Sequence, residues 1–485
     1  MENQRKEYKK FSREVIFVAI AQWLPKLKGF IILPFIIKIL GAEKYGIWSQ
    51  LLVTLSLIYP FSILGLNTAF RRFLPGKEDK AELRNDFWAA IFLIFFNALI
   101  LSVGFYFLSP HFVKLFFKTE ETLTLLYLVA ILIPLSAINQ IFLESFVTFG
   151  QSKKYIFFIL GKEIIEIPLI IYFLLHGKGL FALLAISIGT LALSTVLAGF
   201  IFIKQLGISW PKFRTLKPYF QLGLPLFFSG FAYWVFHVSD RYVIGYFFNI
   251  KLVGIYSGIY NLTTIIFVIA GPVCFVLLPT ISKFWEENEI GEVKKYLKYS
   301  LKYFFMLGIP AIFGLSVLGR QFLEILTTDE FVSWWYLIPI IGGALVIFQG
   351  LRLGEYVLIL AKKTSIILKY IILAALMNVL LNIIFVPIFG ILGAAITSFI
   401  SCILYGITIW FVSRKYLVFD LDYQFLIKCV LASVLMSFPL IIFNPQGIKN
   451  LLVFIPISIL IYGLALIVFR GLSIQEIKIL LKRRN

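Results

Sequence analysis

Metal and disulfide chemistry have little to work with in this chain. It holds 3 cysteines and 3 histidines among 485 residues. Cys274, Cys402 and Cys429 sit in hydrophobic runs without CxxC spacing or a nearby histidine, the patterns that zinc sites and redox pairs require. Charge is scarce too: 14% of residues are Asp, Glu, Lys or Arg, against 60% hydrophobic. With a mean hydropathy of +0.94, that balance excludes a soluble globular domain of this size and implies an all-α polytopic membrane protein. No P-loop, no HExxH and no nucleophile, acid and histidine set with a plausible common location is present. An enzyme or an ATP-driven pump is therefore not expected, and no cofactor is implied. The polar start, MENQRKEYKKFSRE, does not read as a cleavable signal, so the first hydrophobic run is expected to be retained.

What the chain does have is apolar runs. A membrane span needs about 20 predominantly apolar residues, and reading at that length gives about fourteen candidates: 15–39, 45–66, 87–108, 123–149, 156–176, 179–203, 219–246, 253–279, 301–318, 334–360, 364–386, 391–412, 425–443 and 450–469. The net charge is +20, which in a soluble protein would point to nucleic acid, but here it follows topology. The loop with Arg71, Arg72, Lys77, Lys80 and Arg84 is basic, as is every second loop after it. Together with the termini these carry about thirty Lys and Arg, against about eight in the alternate loops, a positive-inside pattern. Both ends are expected in the cytoplasm, in a bacterial or archaeal plasma membrane. The mixed-charge stretch from Thr280 to Lys302 is spaced for a helix on the membrane surface. The basic tail, GLSIQEIKILLKRRN, reads as a positive-inside anchor.

The sequence also repeats itself. Gly254-Ile255-Tyr256-Ser257 copies Gly46-Ile47-Trp48-Ser49, and at nearly the same offset Tyr127-Leu128 matches Tyr336-Leu337, Gln140 matches Gln349, and Lys153-Lys154 matches Lys362-Lys363. Six spans fall within that offset, so the copies share an orientation and are related by an axis along the membrane normal. The expected architecture is a six-helix lobe over 1–212, a second over 213–422, and an added transmembrane hairpin with a basic tail over 423–485. In such a fold the substrate lies between the lobes.

Ionisable side chains inside the apolar runs mark the candidate site, since each costs about 2.5 to 3.5 kcal/mol to insert at a span centre. They are Lys26, Lys28, Glu144, Lys162, Glu163, Glu166, Asp240, Arg241, Arg352, Glu355, Lys369 and Lys428. Bases outnumber acids, so an anionic substrate is expected, with phosphate or pyrophosphate suited to Arg and Lys donors. Lys26, Lys28, Arg241 and Arg352 are the candidate binders. Asp240 and Glu355 are candidate supporting partners, the latter three residues from Arg352 on one helical face. Lys162 and Glu163 read as lying near an entrance, and Lys369 and Lys428 as able to snorkel from helix ends.

Three stretches, ILPFIIKILGAEKYGIWSQ (32–50), SDRYVIGYFFNIKLVGIYS (239–257) and LILAKKTSIILKYIILAALMNVLLNIIFVPIFGILGAAITS (358–398), resemble the Wzx-like polysaccharide flippases of the multidrug/oligosaccharidyl-lipid/polysaccharide exporter superfamily. The resemblance implies two six-helix lobes with an added helical pair. It also implies export of oligosaccharide units linked to undecaprenyl pyrophosphate, with Lys28 and Arg241 among the cationic residues that handle the head. The partners it implies are the lipid-linked oligosaccharide, membrane lipids, a polysaccharide polymerase and other assembly proteins, with the transporter working as a monomer. A proton or sodium gradient remains open as the driving force. The competing readings are a lipid II flippase, a drug or cation antiporter, which would need acids in the cavity, and a membrane-embedded glycosyltransferase, which would need a larger outer loop.

The topology is testable with a reporter active only outside the cell. Fusions near Glu78, Glu289 or Asn485 should be silent and fusions near Lys118 or Asn249 active; the opposite pattern overturns it.

Overall fold

The computed structural model describes residues 2–471 apart from Gly76 and Glu78, with backbone alone for 2–27 and 268–276. Lys26, the Cys274 side chain and the basic tail beyond Gly471 therefore lie outside the described residues. Within them the chain is helical, without strands. Its helices are α1 (Glu2–Ile63), α2 (Leu66–Phe73), α3 (Lys80–Phe112), α4 (Thr122–Thr148), α5 (Ser152–Leu175), α6 (Gly179–Leu206), α7 (Lys217–Phe247), α8 (Ile250–Thr263) and α9 (Ile265–Glu286). There follow α10 (Ile290–Val317), α11 (Gly319–Leu326), α12 (Asp329–Val332), α13 (Leu337–Leu351), α14 (Gly354–Leu360), α15 (Thr364–Phe389), α16 (Ile391–Ser413), α17 (Tyr423–Phe443) and α18 (Gly447–Val468).

Among the described residues, 11 helical segments are long and apolar enough to cross a membrane, or 12 when the bent pair Lys28–Ile63 and Leu66–Phe73 is counted as one span. The expected fourteen is not confirmed. The first arm of α1 falls largely in residues described by backbone alone. Helix α5 has span length at 24 residues, but Lys153, Lys154, Lys162, Glu163 and Glu166 lower its apolarity. Large side chains such as Ile100, Phe107, Phe157, Ile388 and Ile442 are exposed, the surface that a lipid solvent rather than water covers.

Two features differ from the sequence reading. Residues 280–302 form no separate surface helix: Thr280–Glu286 finishes α9, a turn follows, and 290–302 is the first half of α10. The mixed charges are therefore the solvated ends of two long helices. Arg71 and Arg72, read as loop, occupy the last turn of α2, which begins after a break where Leu64 and Gly65 both take positive φ.

The chain divides into two compact units, Met1–Gly254 and Ile255–Asn485. In the first, α1 is two arms joined at Gly41, whose φ of 83° and ψ of 175° suit a residue without a Cβ. Helix α7 runs along the second arm and α2. Its Tyr242 hydroxyl donates to Thr54 at 3.0 Å and Trp234 Nε1 donates to Ser56 at 2.9 Å. The Phe61 ring meets Phe227 and Phe231 edge-on, each at 5.0 Å. Toward the start of α7, the Tyr219 hydroxyl donates to the buried Asp86 at 2.9 Å, which also pairs with Lys77. Burial works to lower the Lys77 pKa, but hydrogen bonds to Asp86 and Glu82 outweigh it and the pKa is raised. At the other end, Lys118 donates to the carbonyls of Tyr246 and Phe248 at 2.9 and 2.8 Å, placing a cation at the negative end of α7.

Glycine sets the closest approaches on this line. A Cβ on Gly46 would lie 1.9 Å from the Ile250 carbonyl oxygen, and one on Gly254 would lie 2.3 Å from that of Ala42. The two glycines that the sequence repeat equates thus face each other. Gly65 and Gly223 make a second backbone contact, with 2.2 Å from a Gly65 Cβ to the Gly223 oxygen.

In the second unit, α10 packs against α9, α13 and α17, and α16 against α13 and α15. Buried Asn378, Asn382 and Thr397 join α15 to α16, Thr397 donating to Asn382 Oδ1 at 3.0 Å. The hairpin of α17 and α18 seats Cys429, Met436 and Tyr462 against Met306, Ile309 and Phe313 of α10, and the Tyr462 hydroxyl donates to the Met306 carbonyl at 2.7 Å.

Replacing Gly46 by Ala should force the helices apart and destabilise the protein by about 1–3 kcal/mol, the range for overpacked cores. Gly104→Ala, with no atom within 4 Å of the new Cβ, should leave the thermal midpoint in detergent unchanged. Equal midpoints for both variants would refute a tight contact.

Candidate functional site

Pairs of opposite charge recur through the interior of the first unit. Lys28, on α1, reaches Glu166 at 2.7 Å and Glu163 at 3.2 Å on α5. Lys162 bridges the same acids at 3.0 and 3.1 Å, and Ser187 of α6 donates to Glu166 at 2.6 Å. The side chains of Glu163 and Glu166 are 5% and 1% exposed and that of Lys28 18%. Two lysines and two carboxylates sum to zero, which is how four charges can be buried among apolar helices; an uncompensated one would be costly. Lys162 and Glu163, read from sequence as lying near an entrance, thus belong to an interior network.

Arg241 and Asp240 form the second pair. Arg241 Nη1 donates to Asp240 Oδ1 at 2.8 Å and to the His237 carbonyl at 3.0 Å, and both residues are buried. Adjacent residues point to different sides of a helix, so the guanidinium folds back along α7 to reach its neighbour. The expected pairing is present, and Arg241 is held rather than extended into open space.

In the second unit, Arg352 Nε donates to Glu355 at 2.9 Å and Nη1 to Gln349 at 3.3 Å. The Tyr405 hydroxyl donates to the other Glu355 oxygen at 2.8 Å. Arg352 sits in the break between α13 and α14 and keeps its side chain 38% exposed. Lys428 is half-buried and donates to the Arg470 carbonyl at 3.2 Å.

A fourth cluster escaped the sequence reading. Buried Glu144 of α4 lies 3.1 Å from Arg71 Nη2 and accepts from Gln140 at 2.8 Å and Asn67 at 3.4 Å. The four-residue spacing of Gln140 and Glu144 announced one half of it. The other half depends on the helical break at Gly65, which composition hides. Among the described residues, no group of three or more His, Cys, Asp or Glu could hold a metal ion.

The neutral quartet makes a specific demand. Lys28→Ala leaves a buried excess negative charge and should destabilise by about 3–5 kcal/mol. Adding Glu163→Gln to Lys28→Ala restores neutrality and should recover much of the loss in thermal midpoint. No recovery would show that the acids and lysines do not act as a charge-balanced set.

The model of the polysaccharide biosynthesis protein family matches residues 11–285, and that of the lipid II flippase MurJ matches residues 256–464. The chain is 24% identical over 214 residues to the Haloferax volcanii protein named "Probable low-salt glycan biosynthesis flippase Agl15", covering 43% of this chain and 45% of that protein. The alignment therefore spans less than half of that relative's length. An uncharacterised membrane protein of Methanocaldococcus jannaschii is 24% identical over 473 residues, covering 89% of each chain. Among solved structures, lipid II flippase MurJ in an inward closed conformation has a TM-score of 0.71 at 19% identity, over 94% of this chain and 99% of that one. An inward-facing MATE family multidrug transporter of the same superfamily has a TM-score of 0.65 at 16% identity, over 83% and 97%. At such identities these two likenesses concern the fold. With more than half of its length matched by the family model, the chain belongs to the polysaccharide biosynthesis protein family, as a Wzx-like member of the multidrug/oligosaccharidyl-lipid/polysaccharide flippase superfamily.

Proposed function

We propose that the protein is a flippase for oligosaccharide units linked to a polyprenyl pyrophosphate such as undecaprenyl pyrophosphate, carrying them from the cytoplasmic to the outer leaflet by alternating access. It makes and breaks no covalent bond. The observation that carries this reading is the Lys28 quartet: half-buried lysines on buried carboxylates, partners that an anionic head can replace, among apolar helices where such charges are costly. Arg241 offers the same exchange, its planar fork matched to two phosphate oxygens. Lys26 is assigned the same role in the first unit and Arg352 in the second, Asp240 and Glu355 holding the arginines when no anion is bound.

Further support comes from a groove of about 320 Å³ on the second unit, lined by Met306, Pro310, Leu318, Met436, Ile455 and Tyr462. It suits an isoprenoid tail. The lobes are assigned to 1–212 and 213–422, with 423–485 appended. Contact between Gly46 and Gly254 favours that assignment, because a two-fold axis brings equivalent residues together beside it. Both termini are assigned to the cytoplasm, where an inside-negative potential would aid outward movement of an anion by about 2.3 kcal/mol per charge per 100 mV. Polymerase and other assembly proteins are the expected partners of a monomer.

A lipid II substrate is the second reading, favoured by the MurJ model over residues 256–464. Complementation in cells depleted of their lipid II flippase separates the two.

Arg241→Ala should abolish export of a lipid-linked oligosaccharide while leaving the protein inserted and abundant. Arg241→Lys should restore part of it, returning charge without the fork. Normal export by the Ala variant would make the pair structural.

A further inference from the structure

Gln140 and Gln349 are equivalent by the internal repeat, and each stands beside a half-exposed arginine anchored on a buried glutamate. In the second unit the arginine and glutamate share the chain stretch of the glutamine, Arg352 and Glu355. In the first, the glutamine and glutamate are on α4, but the arginine arrives from α2. The two glutamines are bonded differently, Gln349 accepting from Arg352 and Gln140 donating to Glu144, so what the two sites share is a half-exposed arginine held on a buried glutamate.

Arg71 is built as a docking group. Its helix buries Leu66, Ala69 and Phe70, which fixes the backbone and turns Arg71 outward. Glu144, at 7% side-chain exposure, holds one terminal nitrogen at 3.1 Å. Gln140 and Asn67 donate to the other Glu144 oxygen, so the carboxylate that anchors the base is itself fixed. A guanidinium carries five N–H donors in a rigid plane, and this one is 52% exposed, leaving an oriented edge for an oxyanion. Neighbouring Arg72 is exposed on the same short helix without a carboxylate anchor among the described contacts.

We propose that Arg71, anchored by Glu144, is a phosphate-docking residue of the first unit and takes the pyrophosphate of the lipid-linked substrate, as the counterpart of Arg352. The phosphate chemistry stands on the geometry; the lipid-linked source rests on the flippase reading. A free phosphate or an anionic phospholipid headgroup presents the same oxygens.

The test uses the full chain in nanodiscs of zwitterionic lipid, with tryptophan fluorescence reporting binding. The probes are geranylgeranyl pyrophosphate, geranylgeraniol, inorganic pyrophosphate, and added phosphatidylglycerol as competitor. Arg71→Ala should weaken geranylgeranyl pyrophosphate by about tenfold or more, as loss of charge-assisted bonds implies. It should leave geranylgeraniol unchanged; Arg71→Lys should recover part, and Arg72→Ala should lose much less. Loss confined to inorganic pyrophosphate, or to competition by phosphatidylglycerol, keeps the phosphate site and assigns it a free anion or a phospholipid. Equal losses for Arg71→Ala and Arg72→Ala overturn the proposal in favour of diffuse surface charge. Unchanged binding by Arg71→Ala alongside loss in Arg241→Ala overturns it and leaves the flippase reading standing. Absence of any binding of the prenyl pyrophosphate to the wild-type chain, with inorganic pyrophosphate still bound through Arg71, keeps the site and removes the flippase reading.

Discussion

A charge buried among apolar helices has to be neutralised where it stands, and much of this protein's interior is arranged by that requirement. Lys28 and Lys162 are bound to Glu163 and Glu166, Arg241 to Asp240, and Arg352 to Glu355. In each case the acid is more deeply buried than its base. The carboxylates are fixed by short side chains and by neighbouring hydroxyls and amides, while the longer bases reach in from their own backbones. Of these bases Arg352 keeps the most exposure, at 38%, while Arg241 is buried together with its acid.

The long contact of α7 and α8 with α1 and α2 follows a different rule. Its closest points are backbone against backbone, at Gly46 with Gly254 and at Gly65 with Gly223. Small residues let helices approach in a bilayer, where no water drives them together and van der Waals contact does the work. Such contacts interlock no side chains. Between them lie single polar contacts, Ser56 with Trp234 and Thr54 with Tyr242.

The helical class was legible because it depends on composition, and the contacts of Arg241 with Asp240 and of Arg352 with Glu355 because their members lie within one turn. The LGxxxYG stretch was visible as a motif, but its two glycines do different jobs: Gly41 bends α1 and Gly46 admits the backbone of α8. Nothing in a one-dimensional pattern separates a bend from a close approach. The Lys28 network was missed for a related reason. Its members lie on three helices, and only the pairs of Lys162 with Glu163 and Glu166 are local. The mixed charges of 280–302 misled because an amphipathic stretch looks alike whether it lies on a membrane or continues a span beyond it.

The same limit explains how the Arg71 cluster relates to the repeat. In the repeat read from the sequence, Gln140 and Gln349 occupy matching positions. A charge-paired arginine is constrained by where its guanidinium lies, and a long side chain can reach one point in space from more than one helix. The second copy meets that constraint from residue 352 of its own stretch and the first from α2, at the cost of a helical break at Gly65 that places the arginine over Glu144. Charged sites in a membrane protein are therefore better compared by the positions of their charged groups than by sequence alignment, since the bilayer penalises a misplaced charge far more than a changed residue.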